Sequence, residues 1–288
     1  MHHILLTGAT GYVGGRLLPV LLDRGHPVRC LTRRPERASL PAGAEAVRGD
    51  VLDPGSLHDA FQGIDVAYYM VHSMEGSGDF AARDREGARN FARAAKAAGV
   101  RRVVYLGGLA GDSKHLRSRE EVAELLAALG PPLVHVRAAM VIGDGSASFT
   151  MLRSLVDRLP VMVTPKWVDT RTQPVAARDV VGVLAALADR EDAPQEVQVG
   201  GADVLTYGEM LRRYARVAGR RPPRFVKVPV LTPKLSSYWV GLVTPVDPAL
   251  ARPLVEGLSA EMLVDTPPPP GLNDDPLGFE DAVREALA

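Results

Sequence analysis

Cysteine is nearly absent from this 288-residue chain, where Cys30 stands alone. One thiol excludes an internal disulfide framework and any zinc or iron–sulfur site built on several cysteines, and it reads as a small buried strand residue. Charge of one sign is lacking too: 34 Lys+Arg face 34 Asp+Glu, and the isoelectric point is near 7.1. That balance removes the electrostatic argument for binding nucleic acid or an acidic membrane. Long apolar runs are missing as well. The most apolar later stretch, residues 228–246, is broken by Pro229, Pro233, Lys234 and Pro245, whereas a bilayer helix wants about 20 uninterrupted apolar residues. Met1-His2-His3 leads straight into a short apolar run, without the length or cleavage site of a signal peptide. The expectation is a soluble, cytoplasmic protein with no nucleic-acid partner and no transmembrane segment. No two of the histidines sit at a spacing that shares one helical face beside a carboxylate, so no metal site is expected.

What is present is alternation. Ile4–Thr7, Val28–Thr32, Ala44–Arg48, Val66–Val71, Val103–Leu106 and Leu133–Val136 are strand-length apolar runs bounded by turn residues. Between them Tyr12–Arg24, Asp79–Ala98 and Ser118–Leu129 have helical length and spacing, with Gly25 and Gly99 placed to end the first two. Strands alternating with helices predict an α/β fold: a Rossmann-type, doubly wound parallel sheet joined by right-handed crossovers. Pro19 inside the first helix predicts a kink. Further on, Phe149–Leu159 and Ala177–Ala188 read as helices and Val197–Gly200 as a strand. Thr206 to Glu209 has the spacing of a capping box opening another helix, and Phe279–Leu287 reads as a terminal one. The expected organisation is a nucleotide-binding domain over 1–200, a smaller α+β substrate lobe over 201–264, and a proline-rich linker with the terminal helix over 265–288.

The strongest motif is Thr7-Gly8-Ala9-Thr10-Gly11-Tyr12-Val13-Gly14, which follows the first strand and opens the first helix. Gly8 permits a tight turn, Gly11 lets backbone approach a diphosphate, and Gly14 lets helix and strand pack closely. The helix N-terminus adds unpaired N–H groups and a positive dipole end. Gly8, Thr10, Gly11, Tyr12, Val13 and Gly14 are therefore candidate dinucleotide-binding residues. An NAD enzyme usually places an acid about 20 residues on, accepting from the ribose hydroxyls. Here Arg33 and Arg34 stand there, and a guanidinium forks onto a 2′-phosphate, so NADP(H) is expected over NAD(H). The same arginines read equally as solvated surface groups. Asp50 and Val51 after the third strand can cap the adenine, or Asp50 can be a simple turn residue. Ligands collect at the carboxyl ends of strands, which adds Val71, His72, Leu106 and Gly107 to the candidate set. Tyr68 and Tyr69 alternate across the fourth strand, so at most one can face the cofactor side, and core packing suits either ring.

With these stretches the sequence resembles the short-chain dehydrogenase/reductase superfamily, more narrowly its atypical, NmrA-like NAD(P)-binding branch, related to an accessory subunit of respiratory complex I. The resemblance rests on Thr7–Gly14, Gly49-Asp50-Val51, the run Ala67 to Ser73, Val103–Gly108, and Gln173-Pro174-Val175 with Arg178-Asp179-Val180. It implies carbonyl reduction by a tyrosine acid, a lysine four residues later and a serine after the fifth strand. The lysines are Lys96, Lys114, Lys166, Lys227 and Lys234, and none has a tyrosine four residues before it. In the corresponding window Gly107 or Gly108 replaces the serine, His115 stands at the tyrosine position and Arg119 at the lysine position. An imidazole can donate a proton near neutral pH, while an arginine can bind ribose hydroxyls but does not relay protons. His115, Arg119 and His72 are the catalytic candidates on this basis, and His115 reads equally as an ordinary helix N-terminal residue. The resemblance also implies that residues 137–149, Lys166-Trp167 and 171–175 shape the substrate pocket.

Two readings follow. One is an NADP(H)-dependent oxidoreductase acting without the Ser-Tyr-Lys set on a hydrophobic or flat small molecule, such as a quinone, an activated alkene or an imine. There the protein mainly orients the reactants, because hydride transfer is the cofactor's chemistry. The other is a non-catalytic NADP(H)-sensing or assembly protein, in which the same residues are equally expected to be missing.

Overall fold

The computed structural model describes residues 1–71, 80–109, 114–164, 166–227, 258 and 260–288, with backbone alone at 114, 115, 163, 166 and 227. Seven strands form the central sheet: β1 (Ile4–Thr7), β2 (Val28–Thr32), β3 (Ala44–Arg48), β4 (Val66–Tyr69), β5 (Arg102–Gly108), β6 (Leu133–Ala138) and, later in the chain, β11 (Glu196–Val199). Their order is β11-β6-β5-β4-β1-β2-β3, and every pairing is parallel. The chain runs outward from β1 to β3, then returns to add β4 on the other side. That reversal opens a crevice beyond the carboxyl ends of β1 and β4, the usual ligand position in a doubly wound sheet. β1 and β4 are buried along their whole length, as central parallel strands covered on both faces must be.

Two helical layers cover the sheet. α1 (Tyr12–Asp23) packs against a later helix, α5 (Ala177–Asp189), on one face, and α2 (Phe80–Ala97) against α3 (Lys114–Leu129) on the other. Leu17, Leu18, Leu21, Val180 and Leu184 meet Ile4, Leu6 and Tyr68 in the first core; Phe91, Ala92, Val122 and Leu126 meet Leu5, Tyr69 and Tyr105 in the second. α1 is continuous across Pro19, whose ring is exposed. Gly25 and Gly99, both with positive φ, follow the ends of α1 and α2. β5 extends two residues past its apolar run because Gly107 and Gly108 still pair with Arg137 and Ala138 of β6.

A second body of structure stands over the carboxyl ends of the strands. It contains β7 (Val141–Ile142), α4 (Ala147–Arg158), β8 (Val161–Thr164), a 3-10 turn at Lys166–Asp169, β9 (Arg171–Thr172) and β10 (Val175–Ala176). Beyond the sheet's last strand it continues with β12 (Leu205–Thr206), α6 (Tyr207–Val217), β13 (Arg224–Lys227) and α7 (Phe279–Leu287). One core joins these stretches, with Phe149, Leu152, Trp167, Met210, Tyr214 and Phe279 among its members. Burial of Phe279 and Val283 contributes about 1.5–3 kcal/mol each, which docks the terminal helix. The proline-rich stretch before it is also tied down. Gln173 donates to the Gly201 carbonyl at 2.8 Å and accepts from the Val264 N–H at 3.1 Å. Asp203 accepts from the Phe279 N–H at 2.7 Å, capping a helix whose own Gly278 has no side chain to do so. Among the described residues no helix is long and apolar enough to cross a membrane.

Candidate functional site

The glycine turn is built by exclusion of side chains. Gly8 has φ +67°, and a Cβ there would lie 2.8 Å from the Met70 carbonyl oxygen. A Cβ on Gly14 would lie 2.2 Å from the Gly8 carbonyl oxygen, so the first turn of α1 sits directly on the loop that precedes it. The Gly11 N–H bonds back to the Gly8 carbonyl at 2.9 Å. Gly11 is the N-cap and offers no side chain, and no acid stands in the first turn. The helix therefore presents its amino end uncapped to the crevice, with the donors and the positive potential that favour a diphosphate. Both features fit a dinucleotide there. Tyr12 turns the other way. Its buried hydroxyl occupies the space a side chain on Gly143 would need, Arg16 stacks 4.0 Å over its ring, and Arg16 donates to the Asp144 carbonyl at 2.6 Å. The loop at 143–146 is thereby docked on α1, and Ser146 caps α4 by accepting from the Phe149 N–H.

The ends of β2 and β3 hold the next candidates. Thr7 pairs with Leu31, so Arg33 and Arg34 follow where β1 enters the glycine turn. Both are exposed, and neither guanidinium has a hydrogen bond or ion pair among the described residues. Glu36 is engaged by Arg48 at 3.1 Å. Asp50 serves its own turn, accepting from the Leu52 N–H at 2.9 Å, and Val51 is buried beside α2, where Asn90 holds its carbonyl. Val71 is half-buried just beyond β4. His72, like Ser73, lies outside the described residues. Tyr68 and Tyr69 are both core residues: Tyr68 donates to the Leu184 carbonyl at 2.7 Å, and Tyr69 packs 4.8 Å from Phe91. Neither ring faces the crevice, and burial pushes both phenols up.

At the tip of β5, Leu106, Gly107 and Arg119 come together. Arg119 donates to the Leu106 carbonyl at 2.6 Å, and its Nε is buried without a hydrogen bond. A Cβ on Gly107 would fall 2.3 Å from Nε2 of His135, a buried residue of β6 whose Nε2 also lacks a partner. The imidazole thus fills the place where a side chain at 107 would stand. His115 lies in the first turn of α3, one helical turn before Arg119.

Between these strand tips and the second body lies a cavity of about 290 Å³. Its sheet side is made by Val13, Leu106, Gly107, Gly108 and Arg119. Its far side is made by Met151, Leu152, Leu155, Trp167, Tyr207 and Leu211, with Leu258 and Met262 closing it. The walls are overwhelmingly apolar, and the cavity meets the first turn of α1 through Val13. Arg119 and Trp167 were legible as candidates. Met151 with Leu155 and Tyr207 with Leu211 were missed, although each pair has the four-residue spacing of one helical face.

Residues 8–154 match the NAD(P)H-binding family. The chain is 31% identical over 240 residues to the (4-alkanoyl-5-oxo-2,5-dihydrofuran-3-yl)methyl phosphate reductase of Streptomyces griseus, covering 79% of this chain and 77% of the relative. It is 29% identical over 242 residues to the ceramide reductase of Caulobacter vibrioides, covering 78% and 73%. In fold it is similar to an NADPH-dependent quinone oxidoreductase of Escherichia coli, with a TM-score of 0.77 at 19% identity over 99% of this chain and 100% of that one.

Proposed function

The chain belongs to the NAD(P)H-binding family of oxidoreductases, and from that premise we propose that it is an NADP(H)-dependent reductase of lipophilic or flat acceptors: quinones, activated alkenes or imines. The observation that carries this reading is the apolar cavity against the first turn of α1, with the β5 tip as its floor. A bound reduced nicotinamide supplies the hydride, which asks of the protein chiefly position and exclusion of water. Gly8, Gly11 and Gly14 hold the diphosphate at the helix end, with Thr10, Val13 and the backbone of Tyr12 around it. Arg33 and Arg34 take the 2′-phosphate, while Asp50, Val51 and Val71 border the nucleotide along the neighbouring strand ends. Leu106, Gly107 and Arg119 flank the reacting end, and the Met and Leu side chains of α4 enclose an apolar acceptor. The compounds named for the two relatives, an alkanoyl-bearing oxo-dihydrofuranylmethyl phosphate and a ceramide, support a lipophilic acyl portion in the acceptor here. No tyrosine precedes a lysine by four residues, so the reading favours acceptors that need little help from a positioned acid.

The test is NADPH consumption across a quinone, a 2-acylbutenolide and an iminium dye. Turnover of at least one, surviving His115→Ala within about tenfold, is the expected result; a loss of several decades would make His115 the acid. Tight NADPH binding with no oxidation of the cofactor across the panel would overturn the reading in favour of a sensor.

A further inference from the structure

The cavity is apolar almost throughout, which makes its few hydrogen-bond donors informative. Among the described lining residues they are Arg119, Ser148, Trp167 and Tyr207. Arg119 belongs to the β5 tip, where one nitrogen is committed to the Leu106 carbonyl. The Trp167 indole N–H is enclosed without a hydrogen bond. Tyr207 and Ser148 remain as neutral hydroxyls, and Tyr207 is much the more firmly placed. It is the first residue of α6, directly after an N-cap, Thr206, that forms a complete capping box with Glu209. Its own N–H bonds to the Thr170 carbonyl at 3.2 Å, and β12, immediately before it, pairs with β9. Its ring meets Trp167 edge to face at 6.0 Å. Backbone, cap and ring contact together fix a phenol on the wall opposite the glycine turn. The buried Thr172 hydroxyl lies beside it without a hydrogen bond of its own, and a phenol both accepts and donates, so a bond accepted from Thr172 would leave Tyr207 its proton to give.

We propose that Tyr207 is the substrate-anchoring donor of this cavity, and that the acceptors it selects are lipophilic molecules carrying a carbonyl oxygen that pairs with its hydroxyl. The proposal rests on the reading that the cavity takes the substrate. Tyr207 acts here by hydrogen bonding, with no transfer of its proton. Burial pushes the phenol up to about 12, which keeps it protonated at neutral pH. A donor with no competing water inside an apolar site discriminates strongly, because a ligand lacking the oxygen leaves it unpaired.

The experiment uses 6-propionyl-2-(dimethylamino)naphthalene, an apolar ketone whose emission moves to the red when its carbonyl accepts a hydrogen bond. The wild-type protein should bind it with red-shifted emission. Tyr207→Phe should bind it about tenfold more weakly, with the bound emission moved to the blue, and should lose about tenfold to hundredfold in kcat/KM for carbonyl-bearing acceptors. Ser148→Ala, on the same cavity wall, should leave the emission red-shifted. Site-specific 3-fluorotyrosine at 207, nearly isosteric and a better donor, should move the emission further to the red, which guards against a Phe variant that folds poorly. Unchanged emission in Tyr207→Phe, or a blue shift in Ser148→Ala instead, overturns the proposal. If the emission behaves as expected but no acceptor consumes NADPH, hydride transfer fails and the anchoring role stands; the converse result sinks the anchor alone.

Discussion

The two sides of the cavity are made by opposite means. On the sheet side, at the cavity floor and the glycine turn beside it, much of the surface is backbone, and what the sequence contributes there is the absence of side chains at Gly8, Gly14 and Gly107. On the lobe side the surface is all side chain, with flexible Met151 and branched Leu152, Leu155 and Leu211 filling it. The first kind of wall tolerates no added atom, because a Cβ at Gly8 or Gly14 would meet peptide groups that cannot rotate away, and one at Gly107 would meet the buried His135 ring. The second tolerates exchange of one apolar shape for another of equal volume. The sheet side is therefore suited to a ligand of invariant shape, and the lobe side to one whose identity can vary.

Gly14→Ala should give the largest effect and test this contrast most severely. Its Cβ would lie 2.2 Å from the Gly8 oxygen and 2.8 Å from the Gly8 carbonyl carbon, so either the turn opens or the helix lifts. A loss at or above the upper end of the ~1–3 kcal/mol that overpacking costs is expected, with no NADPH fluorescence titration remaining. Leu152→Met on the opposite wall should cost less than about 1.5 kcal/mol and leave that titration intact. Equal melting temperatures for the two variants would break the contrast.

The next effect arises at His135, where the two means of construction meet. Its ring stands over Gly107, and burial, aided by Arg137 and Arg119 against the opposing pull of Glu120 and Glu196, pushes its pKa down to about 4. Tyr105 packs 5.2 Å from it on the same face. A histidine depressed in the folded state is protonated first in the unfolded chain, near pH 6.5. Its neutral form therefore contributes fully above that pH and loses ground as the pH falls toward 4, by up to roughly 3 kcal/mol. Urea unfolding of wild type and His135→Gln between pH 7.5 and 4.5 should show the gap between them closing as the pH falls. Parallel curves would mean the imidazole is not buried as described.

The sheet and its helices were legible because the signals are local. β1, β2, β3 and α7 begin and end where apolar runs meet turn residues, and the Thr206–Glu209 capping box marks α6 to the residue. Where a boundary depended on tertiary pairing, pattern failed. Gly107 and Gly108 carry no side-chain signal yet continue β5 through register with β6, and the polar first turn of α3 has no apolar stripe to announce it. The short strands β8, β9, β12 and β13 consist of two to four residues whose strand partners lie far away in sequence. In the candidate site the glycine turn was legible because its chemistry is written in one contiguous motif. Beyond Trp167 the lobe wall was not, since Met151, Tyr207 and Met262 are far apart in sequence and each looks like an ordinary core residue until the fold brings them to one surface. His135 gave no signal at all, because what distinguishes it is the missing side chain on the neighbouring strand.

The smallest expected effect concerns which nucleotide the backbone-built side prefers, because there alone that side depends on side chains. Arg33 and Arg34 are exposed, so water competes for them and screening weakens long-range attraction. A phosphate accepting charge-assisted bonds from one or both guanidinium groups nevertheless gains over a plain hydroxyl, by about tenfold to hundredfold in affinity. Calorimetric titration of the Arg33→Ala/Arg34→Ala protein should show that loss for NADPH and a change of less than about threefold for NADH, with the difference shrinking as salt rises. Equal weakening of both nucleotides would place the arginines at the shared diphosphate, and no weakening of either would leave them as surface charges. A wild-type preference for NADH would reverse the argument, since Glu36, held by Arg48 at 3.1 Å, would then have to leave that pair to reach a ribose.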